Sequence, residues 1–458
     1  MEPCQATTEA VASPKPATKR NLLSSLMEAA AGLQRSSSFK EDSYLACSLK
    51  PAEKKALQEL KQLLSTSPKA ISMWGVPVAP AAADDERADV VLLKFLRARD
   101  FDVGEAHAML LRCAEWRREF GADGVAEEEL VGLKEVEGVV AYMHGWDRRG
   151  HPVCYNAYGV FKDAAMYERV LGDADKLQRF LRWRVQVMER GIRLLHLRPG
   201  GVNSIIQVTD LKDMPKRQLR AASNHILSLF QDNYPEMVAR KVGSTAGLPP
   251  RCFSSAFILS TMHPSNRRCS STSPGTSACL IRSNLLCSSS SLLFADADTN
   301  SSCHRFIRPE FVPVQYGGLS RPGDLQNGPP KPATEFAIKG GEQVNLEIDG
   351  IEVYPQTHTN AMVACLAVML SQGGATIAWD VAVGGWDVDY GAEFVPSDEG
   401  SYTVVVQKTR RIPGGAEEAI HDAFTAKEAG KMVLSIDNTN SRRRKVAAYR
   451  YCVRKPSM

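Results

Sequence analysis

The side chains that could act as acids or bases are scattered, and none stands in a catalytic motif. Asp210 and Asp213 follow a short apolar run, and His196 and His225 lie on either side of it along the chain. Enzymes that use such groups usually hold them near a nucleophile elbow, a phosphate-binding loop or a glycine-rich dinucleotide turn, and the sequence contains none of these. The sequence therefore predicts that the protein is not an enzyme.

The cysteines do not suggest a metal site. The chain of 458 residues has eleven of them, and no two are spaced as Cys-x-x-Cys. Structural zinc sites and disulfide frameworks normally show paired spacing. We expect no metal and no cofactor, with the thiols reduced as they are in the cytosol.

A predicted helix over residues 175–197 carries several arginines. Leu177, Phe180, Leu181 and Met188 define its apolar side. Arginines on a surface helix usually form a solvated face, so that is the first interpretation; the alternative is contact with a lipid phosphate. The arginines concerned are Arg179, Arg182, Arg184, Arg190 and Arg193.

Two further basic groups lie near the C-terminus, and we predict that both contact a membrane. The second group follows Asn438-Thr439-Asn440, which suggests the tip of a hairpin. Each such residue could contribute about 1 kcal/mol on an anionic membrane, and the alternative is a solubilising turn. The groups are Lys408, Arg410 and Arg411, and Arg442, Arg443, Arg444 and Lys445.

The elements that position these residues follow from the apolar pattern. Apolar residues recur every three or four positions over 49–65, 86–98 and 103–120, which predicts helices, and residues 66–85 look like a connection. Ser204–Leu211 is a short run rich in Ile and Val, typical of a buried strand, and another helix follows at 218–233. Strand, helix and strand in this order predict an α/β sheet covered by helices.

The C-terminal third is different. After the Pro- and Gly-rich residues 321–334 come short alternating runs separated by turn residues. This pattern predicts an all-β antiparallel sandwich, with Trp379 and Trp386 filling or flanking its core.

The net charge and the distribution of apolar residues limit the kinds of partner the protein can have. A net charge of +4 is too small to indicate nucleic acid. The N-terminus lacks the apolar core of a signal peptide, and no run of 18 apolar residues exists. We expect a cytoplasmic, monomeric protein that can associate peripherally with membranes.

Several long motifs resemble one known family. FLRARDFDV, GHPVCYNAYG, VTDLKD and NYPEM are similar to the CRAL-TRIO lipid-binding proteins in order and spacing. FIRPEFVPVQYGGLS (306–320) and GGWDVDYGAEFVP (384–396) resemble the plant patellins, in which a GOLD domain follows the CRAL-TRIO domain. The resemblance implies an α/β CRAL-TRIO domain with a helical N-terminal lead-in, then an all-β GOLD domain.

The same resemblance implies a function. Patellins bind phosphoinositides and other hydrophobic ligands, and act in membrane trafficking and in cell-plate formation during cell division. A bound phospholipid is therefore expected here, with protein partners possible through the GOLD domain. The alternative is a non-catalytic adaptor that acts through the GOLD domain while its lipid pocket is impaired.

Three residues match family positions near the lipid headgroup. Arg97 and Arg99 belong to FLRARDFDV, and Glu236 belongs to the Tyr-Pro-Glu motif. Met237 stands where founding lipid-transfer members have arginine, and the Thr and Lys that complete their motif have no counterpart here. The alternative is that Arg97 and Arg99 only cap and pair within the lead-in.

Two segments depart from the family pattern. Residues 243–304 contain 16 Ser and five Cys but no Lys, Glu, Val or Tyr, and no strand or gating helix is recognisable. We hypothesise that 242–304 and 353–372 come from a wrong reading frame or a retained intron; the alternative is two real loops in a diverged protein.

The sequence predicts five divisions of the chain. They are a disordered tail (1–48), the helical segment (49–125), the CRAL-TRIO domain (135–320, with 242–304 aberrant and unstructured), a linker (321–334) and the GOLD domain (335–453, with 353–372 an aberrant insertion).

Overall fold

A computed structural model describes most of the chain. Three helices lie in its N-terminal part. These are α1 (Pro51–Ser65), α2 (Glu86–Arg97) and α3 (Val103–Phe120). Asp85 and Asp102 cap α2 and α3, each through a carboxylate oxygen 2.9 Å from a backbone N–H of the first turn. The described residues are 44–79, 85–210, 212–215, 217–244, 291–294, 306–326, 328–351, 353–355, 372–414 and 419–454.

The expected connection between α1 and α2 contains a small hairpin. Strands β1 (Ile71–Met73) and β2 (Val76–Ala79) pair antiparallel around a turn in which Trp74 and Gly75 both have positive φ. The indole of Trp74 packs on Phe95 of α2, with ring centroids 6.0 Å apart. Strands this short show too little alternation to be recognised in the sequence, which predicted only a connection here.

A five-stranded sheet follows. Strands β3 (Ala141–Trp146) and β4 (Pro152–Ala157) form the predicted antiparallel hairpin. Strands β5 (Ile205–Asp210) and β6 (Val238–Ser244) continue the sheet in parallel. Helix α4 (Ala164–Leu171) precedes α5 (Ala174–Ile192), and α6 (Arg220–Asn233) links β5 to β6. Apolar residues of α5 and α6 bury one face of the sheet.

Two short parts of the Ser-rich segment belong to this sheet. Strand β6 runs on to Ser244, which is paired with Asp210, and β7 (Ser291–Phe294) pairs in parallel beyond it, Arg240 opposite Ser291. The expectation of no strand in 242–304 is therefore wrong at these two places. Ser291–Phe294 lies in a Ser-rich context without alternation, so the sequence did not reveal it. The remainder of the segment, 245–290 and 295–304, lies outside the described residues, as does most of the tail 1–48.

The second half is a sandwich of two antiparallel sheets, as predicted. Their strand orders are β15-β12-β17-β8 and β14-β13-β16-β9. Trp379 and Trp386 are 1% and 0% exposed in its core, and the Trp379 indole donates to the Tyr390 hydroxyl at 2.8 Å. The strands are β8 (Thr334–Ile338), β9 (Gln343–Ile351), β12 (Thr376–Val383), β13 (Val388–Pro396), β14 (Val404–Ile412), β15 (Ile420–Thr425), β16 (Gly430–Asp437) and β17 (Lys445–Arg454).

The second departing segment is bracketed by a pair of short strands. Strands β10 (Val353–Pro355) and β11 (Gln372–Gly374) pair antiparallel, with Val353 opposite Gly374. The two sequence stretches on either side are thus adjacent in space. Residues 356–371, the bulk of the predicted insertion, lie outside the described residues.

Residues 306–324 connect the α/β sheet to the sandwich. Ile307 bridges to Asp147, and Tyr316 stacks on Tyr155 of β4 with centroids 5.3 Å apart. Further on, Arg321 is paired with Asp380 of β12 at 2.7 Å. The first part of the predicted linker is therefore bound to the sandwich.

Candidate functional site

A buried lysine ties the end of α2 to the loop before β6. Lys94 is 0% exposed, and its ammonium donates to the carbonyls of Asn203 and Glu236, each at 2.7 Å, and to the Tyr44 hydroxyl at 3.3 Å. A buried ammonium is tolerated only where oxygens replace its water, and these three supply that coordination. The cluster fixes the position of the Tyr-Pro-Glu loop against the helical lead-in.

Two of the three predicted headgroup residues lie at this cluster. Arg97 ends α2, with its guanidinium carbon 4.1 Å from the centre of the Tyr44 ring. Glu236 contributes its backbone carbonyl to Lys94 from a residue with φ of 52°. The structure therefore brings Arg97 and Glu236 to the same place.

Arg99 is half-buried in the turn after α2. Burial lowers its pKa, and repulsion from Arg112 acts in the same direction. The carboxylates of Glu105 and of Asp232, at the end of α6, oppose this effect on the pKa. Arg99 thus lies within electrostatic reach of α6, the helix that leads to the Glu236 loop.

A second buried network, which sequence reasoning missed, holds α3 against α5. Arg117 is 2% exposed and donates to the Glu189 carboxylate at 2.6 and 3.2 Å, while the Tyr234 hydroxyl donates to Glu189 at 2.6 Å. Burial and the Glu189 charge raise the pKa of Tyr234 well above its usual value. Burial likewise raises the pKa of Cys113, one turn earlier on α3, to about 12. Tyr234 and Cys113 therefore keep their protons near neutral pH, and the network acts as a structural joint.

The arginines of α5 do not form one solvated face. Arg182 is paired with Glu128 at 2.7 Å and Arg190 with Glu137 at 3.2 Å, and Arg193 is paired with Glu127. Arg184 is only 3% exposed and donates to the Asn156 side-chain oxygen on β4 at 2.7 Å. The first interpretation was wrong for Arg184, because the helix turns this position towards the sheet. Arg179 remains exposed.

Comparisons with known proteins match both halves of the chain. A CRAL/TRIO N-terminal profile matches residues 56–112, a CRAL/TRIO domain profile matches 136–247, and a profile described as the Patellin-1-like C-terminal GOLD domain matches 361–445. Patellin-6 of Arabidopsis thaliana is 54% identical over 422 residues, which is 92% of either chain. The chain belongs to the patellin family. Patellin-3 of the same plant is 36% identical and covers 92% of this chain and 79% of its own.

More distant similarities cover part of the chain. A phosphatidylinositol transfer protein SFH5 from Meyerozyma guilliermondii is 29% identical over 203 residues, covering 41% of this chain and 60% of its own. A crystal structure of Sfh5 aligns with a TM-score of 0.42 at 19% identity, covering 56% of this chain and 84% of that one.

Two of the four candidate acid–base groups share a cleft, which neither histidine lines. Asp210 accepts from the Lys212 backbone at 2.9 Å, and Asp213 is paired with Lys162 at 3.3 Å; all four line a cleft of about 360 Å³ at the carboxyl ends of β4 and β5. His225 is exposed on α6, and His196 accepts from the Val202 backbone at 3.0 Å.

Two other features were searched for in the part of the chain that the structure describes. No group of three metal-ligating side chains occurs there, and no helix there is long and apolar enough to cross a membrane.

The two predicted basic groups of the GOLD domain meet at one end of the sandwich. Arg411, near the end of β14, is paired with Asp387 at 2.6 Å and lies 3.9 Å from Asp389. Asn440, in the loop that carries Arg442, Arg443 and Arg444, donates to the same Asp389 at 3.1 Å. We call this surface the basic end.

The predicted hairpin tip is wrong. Strand β16 pairs with β13 and β9, whereas β17 pairs with β12 and β8, so residues 438–444 cross between the two sheets. Lys445 is the first residue of β17, and its ammonium donates to the Trp386 carbonyl. Lys408 and Arg410 are exposed on β14, which lies at the edge of its sheet.

Both missed groups carried a signal in the sequence. Lys94 interrupts the apolar run Val-Val-Leu-Leu-Lys-Phe-Leu, in which every neighbour is buried. Arg117 follows Cys113 by four positions and continues the apolar stripe of α3. A charged residue on a buried stripe requires a partner, although the sequence does not say which one.

Proposed function

We propose that this chain is a non-catalytic lipid-binding protein whose CRAL-TRIO domain takes a phosphoinositide or another hydrophobic ligand. The observation that carries the proposal is the convergence of Lys94, Arg97 and the Glu236 loop at the end of α2. The Arg97 guanidinium held there could bind a lipid phosphate through two parallel hydrogen bonds. The patellin relatives and the phosphatidylinositol transfer proteins that resemble part of the chain support this ligand class.

The basic end of the GOLD domain is the proposed membrane contact. Arg442, Arg443 and Arg444 are exposed side by side, which suits attraction to the anionic cytoplasmic leaflet. The protein would then act as a cytoplasmic monomer that binds membrane phosphoinositides peripherally, in vesicle trafficking and cell-plate formation during cytokinesis.

Vesicle sedimentation with lipid analysis tests both parts. The full chain is incubated with phosphatidylcholine vesicles with and without a few per cent phosphatidylinositol phosphate, and bound lipid is identified after re-isolation of the protein. Replacing Arg442, Arg443 and Arg444 by Gln should lower vesicle binding by about tenfold or more, since each charge is worth about 1 kcal/mol. Arg97→Gln with Arg99→Gln should instead reduce the lipid recovered from the protein while leaving sedimentation nearly unchanged.

One observation favours the adaptor as a second candidate. The CRAL/TRIO profile ends at residue 247, within the first residues of the Ser-rich segment 243–304. A chain that binds vesicles but never carries lipid, and whose 321–458 fragment captures the same proteins as the whole chain, would support the adaptor with an impaired pocket.

A further inference from the structure

Arg184 is a buried cation with unused hydrogen-bonding capacity. It lies on α5 among the rings of Trp183 and Phe230, with its guanidinium carbon 5.9 and 5.8 Å from their centroids. Its Nη2 donates to Asn156. Among the described residues, neither Nε nor Nη1 has a hydrogen-bond partner, although both atoms are buried.

Burying the Arg184 guanidinium with unsatisfied donors costs free energy unless another group accepts hydrogen bonds from it. A guanidinium keeps its charge at any physiological pH, and a neutral amide oxygen does not compensate that charge. Nε carries one N–H and Nη1 carries two, so three donors remain for an incoming acceptor. Native proteins rarely leave such groups unsatisfied in the interior, and the exceptions call for an explanation.

The neighbours define what could satisfy Arg184. Asn156 is held in place on β4, where its amide nitrogen lies 3.4 Å from the Val208 carbonyl and its oxygen is 3.9 Å from the Cys154 sulfur. On α5 and α6, the rings of Trp183 and Phe230 flank the guanidinium. Such a site can bind the anionic group of a molecule whose remainder is apolar.

We propose that Arg184 is a ligand anchor, whose guanidinium binds the phosphate or carboxylate group of an amphiphile between α5, α6 and the sheet. The proposal rests on the proposed lipid-binding function and adds the ligand's chemistry: an anionic acceptor inside the fold, distinct from the Lys94 cluster. A phosphatidylinositol and a free fatty acid share this chemistry.

The test compares Arg184→Met, which keeps the length of the side chain without its charge, with Arg184→Lys. Arg179→Met is the matched control, because Arg179 is exposed on the same helix. Each full-length variant is delipidated and titrated with three fluorescent lipids: a phosphatidylinositol, a fatty acid and an uncharged diacylglycerol. We expect Arg184→Met to weaken binding of an anionic lipid by about tenfold or more, Arg184→Lys to restore part of it, and diacylglycerol to change little. Whichever anionic lipid responds identifies the source of the acceptor group.

Thermal unfolding of the lipid-free proteins separates an anchor from a structural residue. Removing an unsatisfied buried charge should leave the melting temperature of Arg184→Met equal to or above that of the parent. A lower melting temperature, with all three lipids weakened alike, would show that Arg184 is satisfied within the protein and would overturn the proposal. If the parent binds lipid and Arg184→Met binds it equally well, the anchor alone is overturned. If the parent binds none of the three lipids, the proposed function is overturned and the anchor with it.

Discussion

At the scale of single residues, several buried charges lie where separate elements of the chain meet. Lys94 is surrounded by oxygens, Arg117 is neutralised by Glu189, and Arg184 retains free donors among the described residues. The apolar run around Lys94 and the apolar stripe that Arg117 continues indicate burial, whereas the sequence suggested a solvated face for Arg184. It could not predict their partners, since Glu189 is 72 residues from Arg117 along the chain.

Arg117→Met tests the joint between α3 and α5. The substitution leaves the Glu189 carboxylate, which is 5% exposed, without its cation. Breaking one side of a buried pair typically costs about 3–5 kcal/mol, so we expect a loss of that order in the free energy of unfolding measured with urea. Arg118→Met is the control, because Arg118 is exposed, and it should change stability by less than about 0.5 kcal/mol. Equal effects for the two variants would contradict a structural role for the Arg117 network.

At the scale of elements, periodicity was a good guide to long helices and a poor one to short strands and strand pairing. The helix predicted at 103–120 has those bounds, and the strand predicted at 204–211 is Ile205–Asp210. Strand β17 follows β16 closely, and the sequence therefore suggested a hairpin. The crossing between sheets depends on which faces bury Met432, Leu434 and Ala447 in the sandwich core, and this information is not local.

The bulge in β3 makes room for the segment 306–316 to pack against this strand. Gly145 has φ of 68°, and the pairing of β3 with β4 shifts register between Met143 and Trp146. A Cβ at Gly145 would lie 2.8 Å from the Phe311 Cβ and 3.0 Å from the Phe311 carbonyl oxygen. This glycine therefore allows the 306–316 segment to pack directly on the sheet.

Gly145→Ala should weaken that packing. The backbone strain at positive φ costs about 1–2 kcal/mol, and the contact with Phe311 adds to it. Gly138→Ala is a matched control, because Gly138 has φ of 71° but open space around its Cβ position. We expect Gly145→Ala to lose more stability than Gly138→Ala in urea unfolding and to speed amide exchange at Phe311. Similar losses in both variants would mean that Phe311 moves aside without cost.

At the scale of the whole molecule, Asp380 joins the sandwich to the segment that leads from the α/β sheet. Its carboxylate, 7% exposed, accepts from Arg321 and Arg450 at 2.7 Å and lies 2.6 Å from His421 Nδ1. Burial by itself would raise the pKa of Asp380, but hydrogen bonds from Arg450 and Arg321 outweigh burial and lower it. A depressed carboxylate pKa stabilises the folded state at pH values above the unfolded pKa, and this stabilisation is lost as the pH falls through the folded pKa.

Asp380→Asn should therefore loosen the connection between the two halves at neutral pH. The asparagine keeps the shape of the side chain but leaves the Arg321 and Arg450 charges less compensated, so we expect about 2–3 kcal/mol of lost stability and faster proteolysis within 321–334. The difference in stability from the parent should be full at pH 7 and should shrink below the unfolded pKa of about 3.9, as the parent's own carboxylate becomes protonated. Asp398→Asn, at an exposed turn, is the control and should have the parent's cleavage rate. If Asp380→Asn destabilised the protein equally at pH 3 and pH 7, its effect would come from packing rather than charge, and the ionic connection between linker and sandwich would be disproved.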